Sequence, residues 1–115
     1  MFEHNITIDA AGHEITLSCN GKEIGRSARA LILQEPPLVA VYYIPRDDIY
    51  NSFLEPSDHK TTCPFKGDAN YFNLNVDGER FENAAWSYEA PNDDVIEIKD
   101  FIAFLDSVVT ITEIE

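Results

Sequence analysis

His59, Lys60, Cys63 and Lys66 fall within eight residues of one another, in a chain that is otherwise strongly acidic. A thiolate is the reactive form of cysteine, and a neighbouring ammonium or imidazolium favours it. Cys63 is therefore a candidate nucleophile or redox thiol. A nucleophile also needs a base and a stabiliser for the developing charge, and adjacency in sequence supplies neither. The alternative is an inert, buried thiol at the end of a strand. Asp47, Asp48, Glu55 and Asp58 could serve acid–base chemistry, or could cap a short helix and solvate a loop. Ser57 and Thr62 have no visible histidine–acid partnership of the hydrolase kind. No glycine-rich phosphate loop is present.

The segment around Cys63 leads into the clearest hairpin of the chain. In Asn70–Val76 the residues Phe72, Leu74 and Val76 alternate with polar ones, and Asp77-Gly78 follows. That dipeptide suits the positive φ angles of a two-residue type I′ turn. The register then sets Val76 against Glu79, Leu74 against Phe81 and Phe72 against Asn83. On the other face Asn73 meets Glu82, Tyr71 meets Ala84 and Ala69 meets Trp86. Side chains alternate strictly, so the two sets separate unless a bulge intervenes. The first face reads as core. The second joins two aromatics to an amide and a carboxylate, which suits a small-molecule site and equally a second, smaller core.

Other elements must hold this hairpin. Ile15, Leu17 and Cys19 alternate before Asn20-Gly21, a second type I′ signal that would pair Leu17 with Ile24. "VAVYYI" is continuously apolar and reads as a strand buried on both faces, ended by Pro45. "RDDIYNSFLEP" reads as a short helical turn stopped by Pro56. Residues 99–107 fit a strand or a helix, and "VVTITEI" reads as a strand from its β-branched residues. About eight short strands with one helical turn make an all-β, mainly antiparallel domain spanning residues 1–115.

Composition narrows the function. At 115 residues, with 44% hydrophobic residues and seven Phe, the chain can build a core without staples. A formal net charge of −13, with only eight Lys and Arg, argues against nucleic acid and against an anionic membrane surface. Cys19 and Cys63 form no CxxC pair and His4, His13 and His59 are scattered, so neither structural zinc nor another cofactor is expected. Without a signal-like N-terminus or a long apolar run, the expected location is the cytoplasm.

"YYIPRDDI", "LEPSDHKTTCPFKGDANYF", "ENAAWSYEAP" and a later "IAFL" together resemble the bacterial domain of unknown function DUF427, over roughly residues 20 to 105. The resemblance implies a β-tent or Mss4-like fold. Relatives of that fold that hold zinc use two CxxC pairs, which are missing here. The family has also been labelled nucleotidyltransferase-like, but the Gly-Ser plus Asp-x-Asp arrangement is absent. Its characteristic positions fall on Tyr43, Pro45, Arg46, Glu55, Ser57 and Cys63, and then on Lys66, Gly67, Tyr71, Trp86, Ser87 and Tyr88. Pro45 and Gly67 serve the backbone. The remainder is unusually polar and aromatic for a set that only packs a core. The expected function is binding of a small polar or anionic ligand in a groove. Arg46 and Lys66 would supply positive charge, Trp86 and Tyr71 would stack, and Glu55 would orient, with Tyr43, Ser57 and Tyr88 beside them. Arg46, Glu55, Cys63, Lys66, Tyr71 and Trp86 are expected around one pocket. A thiol enzyme using Cys63 and a homodimeric interaction module are the alternatives.

Overall fold

The computed structural model describes residues 5–114, the side chain at position 51 excepted. The fold is all-β, with ten strands among the described residues. In chain order these are β1 (Thr7–Ala10), β2 (Glu14–Cys19), β3 (Lys22–Ser27), β4 (Leu31–Gln34) and β5 (Val41–Pro45), then β6 (Leu54–Cys63), β7 (Gly67–Val76), β8 (Glu79–Tyr88), β9 (Phe101–Phe104) and β10 (Thr110–Ile114). A seven-stranded antiparallel sheet has the order β1-β4-β5-β9-β8-β7-β6, and a three-stranded sheet the order β10-β2-β3. Among the described residues no helix is long and apolar enough to cross a membrane.

Both short turns have the expected geometry. Asn20 and Gly21 have φ of 53° and 77°, and Asp77 and Gly78 have 51° and 84°, as a type I′ turn requires. The two tips meet: Asn20 Nδ2 donates to Glu79 Oε1 at 3.0 Å and Lys22 pairs with Asp77 at 3.1 Å. The pairing of Leu17 with Ile24 does not occur. Leu17 lies opposite Gly25 and Ser18 opposite Glu23, so Ile24 is the extra residue of a bulge. The bulge buries Ile24 and Gly25 consecutively. It also brings Gly25 against the following turn, where a Cβ would stand 2.9 Å from the Asp48 carbonyl oxygen.

The single helical turn expected before Pro56 is instead two 3₁₀ turns, Arg46–Asp48 and Asn51–Phe53. Ile49, between them, is buried and bridges to Gly25 as an extended residue. Pro56 stops nothing. It lies within β6 opposite Phe72, and β6 is an edge strand, where a missing N–H is tolerated. Residues 101–104 are a strand, so the alternation of Phe101 and Ala103 prevails over helical spacing.

The three-stranded sheet packs Ile15, Leu17, Cys19 and Ile24 against Ile44, Phe72, Leu74, Ala85 and Ile102 of the large sheet. A second apolar cluster occupies the opposite face of the large sheet. There Tyr43, Ala69, Tyr88 and Ala103 meet Leu33, Val95 and Ile98. The 3₁₀ segment Asp93–Ile98 supplies the last two and covers part of this face. Tyr71 and Trp86 pack at the margin of the second cluster, only partly buried. The separation of the hairpin into a core face and an aromatic face is thus as the alternation predicts.

Candidate functional site

The aromatic face owes its detail to two bulges. From Val76–Glu79 to Leu74–Phe81 the β7–β8 register is the expected one. Beyond it, Asn73 alone is matched by Glu82, Asn83 and Ala84, so Phe72 meets Ala85, not Asn83. Asn83 takes φ of 52° and its N–H donates to Asn73 Oδ1 at 2.9 Å. The shift is even, so Tyr71 and Trp86 keep their face, but within the bulge Ala84 leaves the aromatic face expected for it and joins Ala85 in the first core. It does change partners: Tyr71 now stands directly opposite Trp86, and Ala69 opposite Tyr88. On the other flank of β7, Tyr71 is matched by Ser57, Asp58 and His59 of β6. Ser57 Oγ donates to Asn83 Oδ1 at 2.5 Å and ties the two bulges together across β7.

A cavity of about 340 Å³ opens on this face. Tyr43, Tyr71, Trp86 and Tyr88 form its aromatic walls, and Leu33 and Val41 add aliphatic surface. Tyr71 and Trp86 are tilted, with ring centroids 6.4 Å apart. Trp86 Nε1 donates to the Tyr43 hydroxyl at 3.4 Å. The rim is apolar and exposed, with Leu38 64%, Val39 79% and Leu105 40% accessible. The floor is polar and buried. Lys66 Nζ lies 2.7 Å from Glu35 Oε1, and the two side chains are only 12% and 8% exposed.

The chain aims Lys66 by its backbone. The Lys66 N–H donates to the Cys63 carbonyl at 3.2 Å, and its own carbonyl accepts from Asn92 N at 2.9 Å. Gly67 follows at φ of 115°, and a Cβ there would meet the Ala90 carbonyl oxygen at 3.3 Å. Only glycine holds this conformation without strain. "HKTTCPFKG" is a strand end and a turn, and the turn delivers Lys66 to a cavity floor.

Burial pushes the Tyr43 phenol up to about 12, against the Trp86 hydrogen bond and with help from Glu35 and Cys63. Burial also raises Tyr88, further still. Both are therefore neutral hydroxyls at physiological pH, able to donate and to accept. Tyr71 is fixed from outside by Thr61, whose hydroxyl is 3.0 Å from its own, and by the His59 ring, packed edge-on with ring centroids 4.6 Å apart.

Tyr43, Lys66, Tyr71, Trp86 and Tyr88 are thus brought together, with Cys63 Sγ 3.7 Å from Lys66 Nζ. Arg46, Glu55 and Ser57 do not line this cavity, so the expected convergence of Arg46 and Glu55 with Lys66 is not found. Arg46 leaves β5 at its end and lays its guanidinium over the Phe72 ring, 4.9 Å from the centroid, on the opposite face of the sheet. Glu55 accepts from Asn73 Nδ2 at 3.0 Å and pairs with Arg80 at 3.0 Å. The Asn73 bond, ahead of Arg80, lowers its carboxyl pKa. Ser57 is occupied by the bulges. Glu35, the partner of Lys66, was not anticipated. Its one local signal is an acidic residue directly after β4 and immediately before Pro36-Pro37, and nothing in the spacing links it to Lys66.

Among the described residues no group of three or more His, Cys, Asp or Glu could hold a metal ion. The two thiols differ in access. Cys19 is 1% exposed and burial, with Glu79 adding, pushes its thiol up, whereas Cys63 is half-buried. Native protein treated with a small alkylating reagent is expected to label at Cys63 first, with Cys19 following only on unfolding. Mass spectrometry of the peptides reads the order, and equal rates would contradict the burial of Cys19.

No curated protein gives a significant match to this chain. The family model described as "Domain of unknown function (DUF427)" matches residues 7–115, nearly the whole chain, and the protein belongs to that family.

Proposed function

We propose that the protein binds a small molecule with a flat or apolar body and a polar head in the cavity between β4, β5, β7 and β8. The observation that carries this reading is the gradient from an exposed apolar rim to a buried ion pair. Leu38, Val39 and Leu105 would admit the ligand, Trp86 and Tyr71 would flank it, and Lys66 would donate to its head. A volume of about 340 Å³ lies at the small end of ligand sites, which run from roughly 300 to 1,000 Å³. Lys66 is already neutralised by Glu35. The head is therefore polar or singly charged, and a polyanion is disfavoured. Thiol chemistry at Cys63 is the second reading, favoured by the Lys66 contact at 3.7 Å. It requires Cys63 of the folded protein to alkylate faster at neutral pH than the same cysteine in the unfolded chain.

Trp86 is the sole tryptophan, so intrinsic fluorescence reports on this cavity and on the adjoining groove that Trp86 also lines, and Tyr71, which lines only the cavity, tells the two apart. Titration with benzoate, benzamide and cyclohexanecarboxylate is expected to change Trp86 emission saturably for at least one of them. Tyr71→Ala should weaken that response. No saturable change with any of the three, or an unchanged affinity in Tyr71→Ala, would remove the proposal.

A further inference from the structure

A second cleft, of about 480 Å³, opens where β5 runs into the turn Arg46–Asp48. It shares no lining residue with the aromatic cavity. Arg29, Arg46 and Lys99 line it, three of the eight basic residues in a chain that carries 21 acidic ones. Two of these cations are engaged: Arg29 donates to Asp48 at 3.0 Å and Lys99 lies 3.7 Å from Asp100. Arg46 has no ion pair among the described residues. One face of its guanidinium rests on the Phe72 ring, which leaves the N–H edge free to donate.

Ser87 supplies an independent observation. It alternates with Trp86 and Tyr88, so it points away from the aromatic cavity, and it lines this cleft. The residue is 2% exposed and its hydroxyl bonds to no described residue, but the oxygen is not among the fully buried, unpartnered polar atoms: it opens narrowly onto the cleft. Most serine hydroxyls inside a fold find a protein partner, whereas this one is left to donate into the cleft. Ser27, the other buried serine, shows the usual outcome: its hydroxyl donates to Asp48 Oδ2 at 2.6 Å and accepts from Arg29 N.

We infer that this cleft is a binding site for one oxyanion group, a carboxylate or a phosphate of a small molecule, held by the Arg46 guanidinium and the Ser87 hydroxyl. Planar, two-pronged donation by arginine matches both anions. Asp47, Glu89 and Asp100 also line the cleft and balance its three cations. The site therefore takes a single compact charge, and a polyphosphate chain would be repelled.

The test is a titration of the full chain with sodium acetate and with sodium phosphate, each against sodium chloride at matched ionic strength, followed by backbone amide chemical shifts. The expected result is saturable movement around Arg46, Ser87 and Lys99 with at least one oxyanion, and the stronger of the two names the ligand class. Arg46→Gln and Ser87→Ala should each weaken binding about tenfold or more, as loss of a hydrogen bond to a charged group does. Ser87→Ala should leave thermal stability unchanged or raised, because it removes an unmatched polar atom. That combination separates a binding hydroxyl from a structural one. The inference is overturned if neither oxyanion gives saturable shifts, if chloride reproduces them, or if either variant binds as well as the parent. A Ser87→Ala variant that loses stability would overturn it too.

Discussion

Replacing Lys66 by methionine is expected to destabilise the protein by about 3 kcal/mol, the lower end of what breaking a buried ion pair costs. An exposed pair would contribute only about 0–1 kcal/mol, so the prediction rests on burial. Lys66 and Glu35 are 12% and 8% exposed, and their charged atoms are 2.7 Å apart. Methionine keeps the length and apolar stem of lysine but strips the cation from a carboxylate that water hardly reaches. Glu35→Gln in the same background should recover part of the loss, since it removes the buried charge that methionine no longer faces with a cation. Denaturant unfolding at constant slope measures both variants. A Lys66→Met protein within about 1 kcal/mol of the parent would mean that the cavity floor is wet and the pair solvated. The proposed ligand site would then lose its buried polar anchor.

The elements that sequence makes legible are those whose physics is local. Asn20-Gly21 and Asp77-Gly78 carry their turn geometry in two residues, because few others accept positive φ at both positions. The alternation of Phe72, Leu74 and Val76 against Tyr71 and Asn73 assigns two faces without reference to the rest of the chain. The bulges at Asn83 and at Ser57–His59 leave no such mark. They are stabilised by hydrogen bonds to neighbours on β7 and to each other, and exist only once three strands are in place. The same is true of Pro56, which reads as a helix stop until β6 is known to be an edge. Within the candidate site, the aromatic walls were legible from strand parity. The Lys66–Glu35 pair was not, because it joins a β6–β7 turn to the end of β4, 31 residues away. The position of Arg46 is hidden from the sequence for a related reason. Its side chain follows Phe72 to the first core, a choice made by the direction in which the chain leaves β5.

Stability is expected to fall steeply with rising pH between about 10 and 12, driven by Tyr43 and Tyr88. In the unfolded chain both phenols ionise near about 10. In the fold, burial keeps Tyr43 protonated up to about 12, and Tyr88 is raised beyond it. Between those values the unfolded state has released protons that the native state retains. Stability then declines as pH rises, since the slope follows the protons bound by the unfolded state minus those bound by the folded one. The contribution is fully present below about 10 and is lost as pH passes through about 12. For Tyr43 alone, two pH units correspond to about 3 kcal/mol. Tyr88 adds to this, and the sum is a large part of the roughly 5–15 kcal/mol that holds a domain together. Cooperative alkaline unfolding is therefore expected before either phenol titrates in the native state. Denaturant midpoints followed by Trp86 emission across this range, together with phenolate absorbance, measure it. Tyr50, which is exposed, should ionise without unfolding, whereas Tyr43 and Tyr88 should ionise only as Trp86 emission changes. The double variant Tyr43→Phe/Tyr88→Phe should show a much flatter profile, because neither state then has these protons to lose. A parent protein whose stability is level through this range, or whose five tyrosines all ionise while Trp86 still reports a folded environment, would show that the phenols of the cavity are open to water. The aromatic face would then be a solvated surface and not the wall of a binding site.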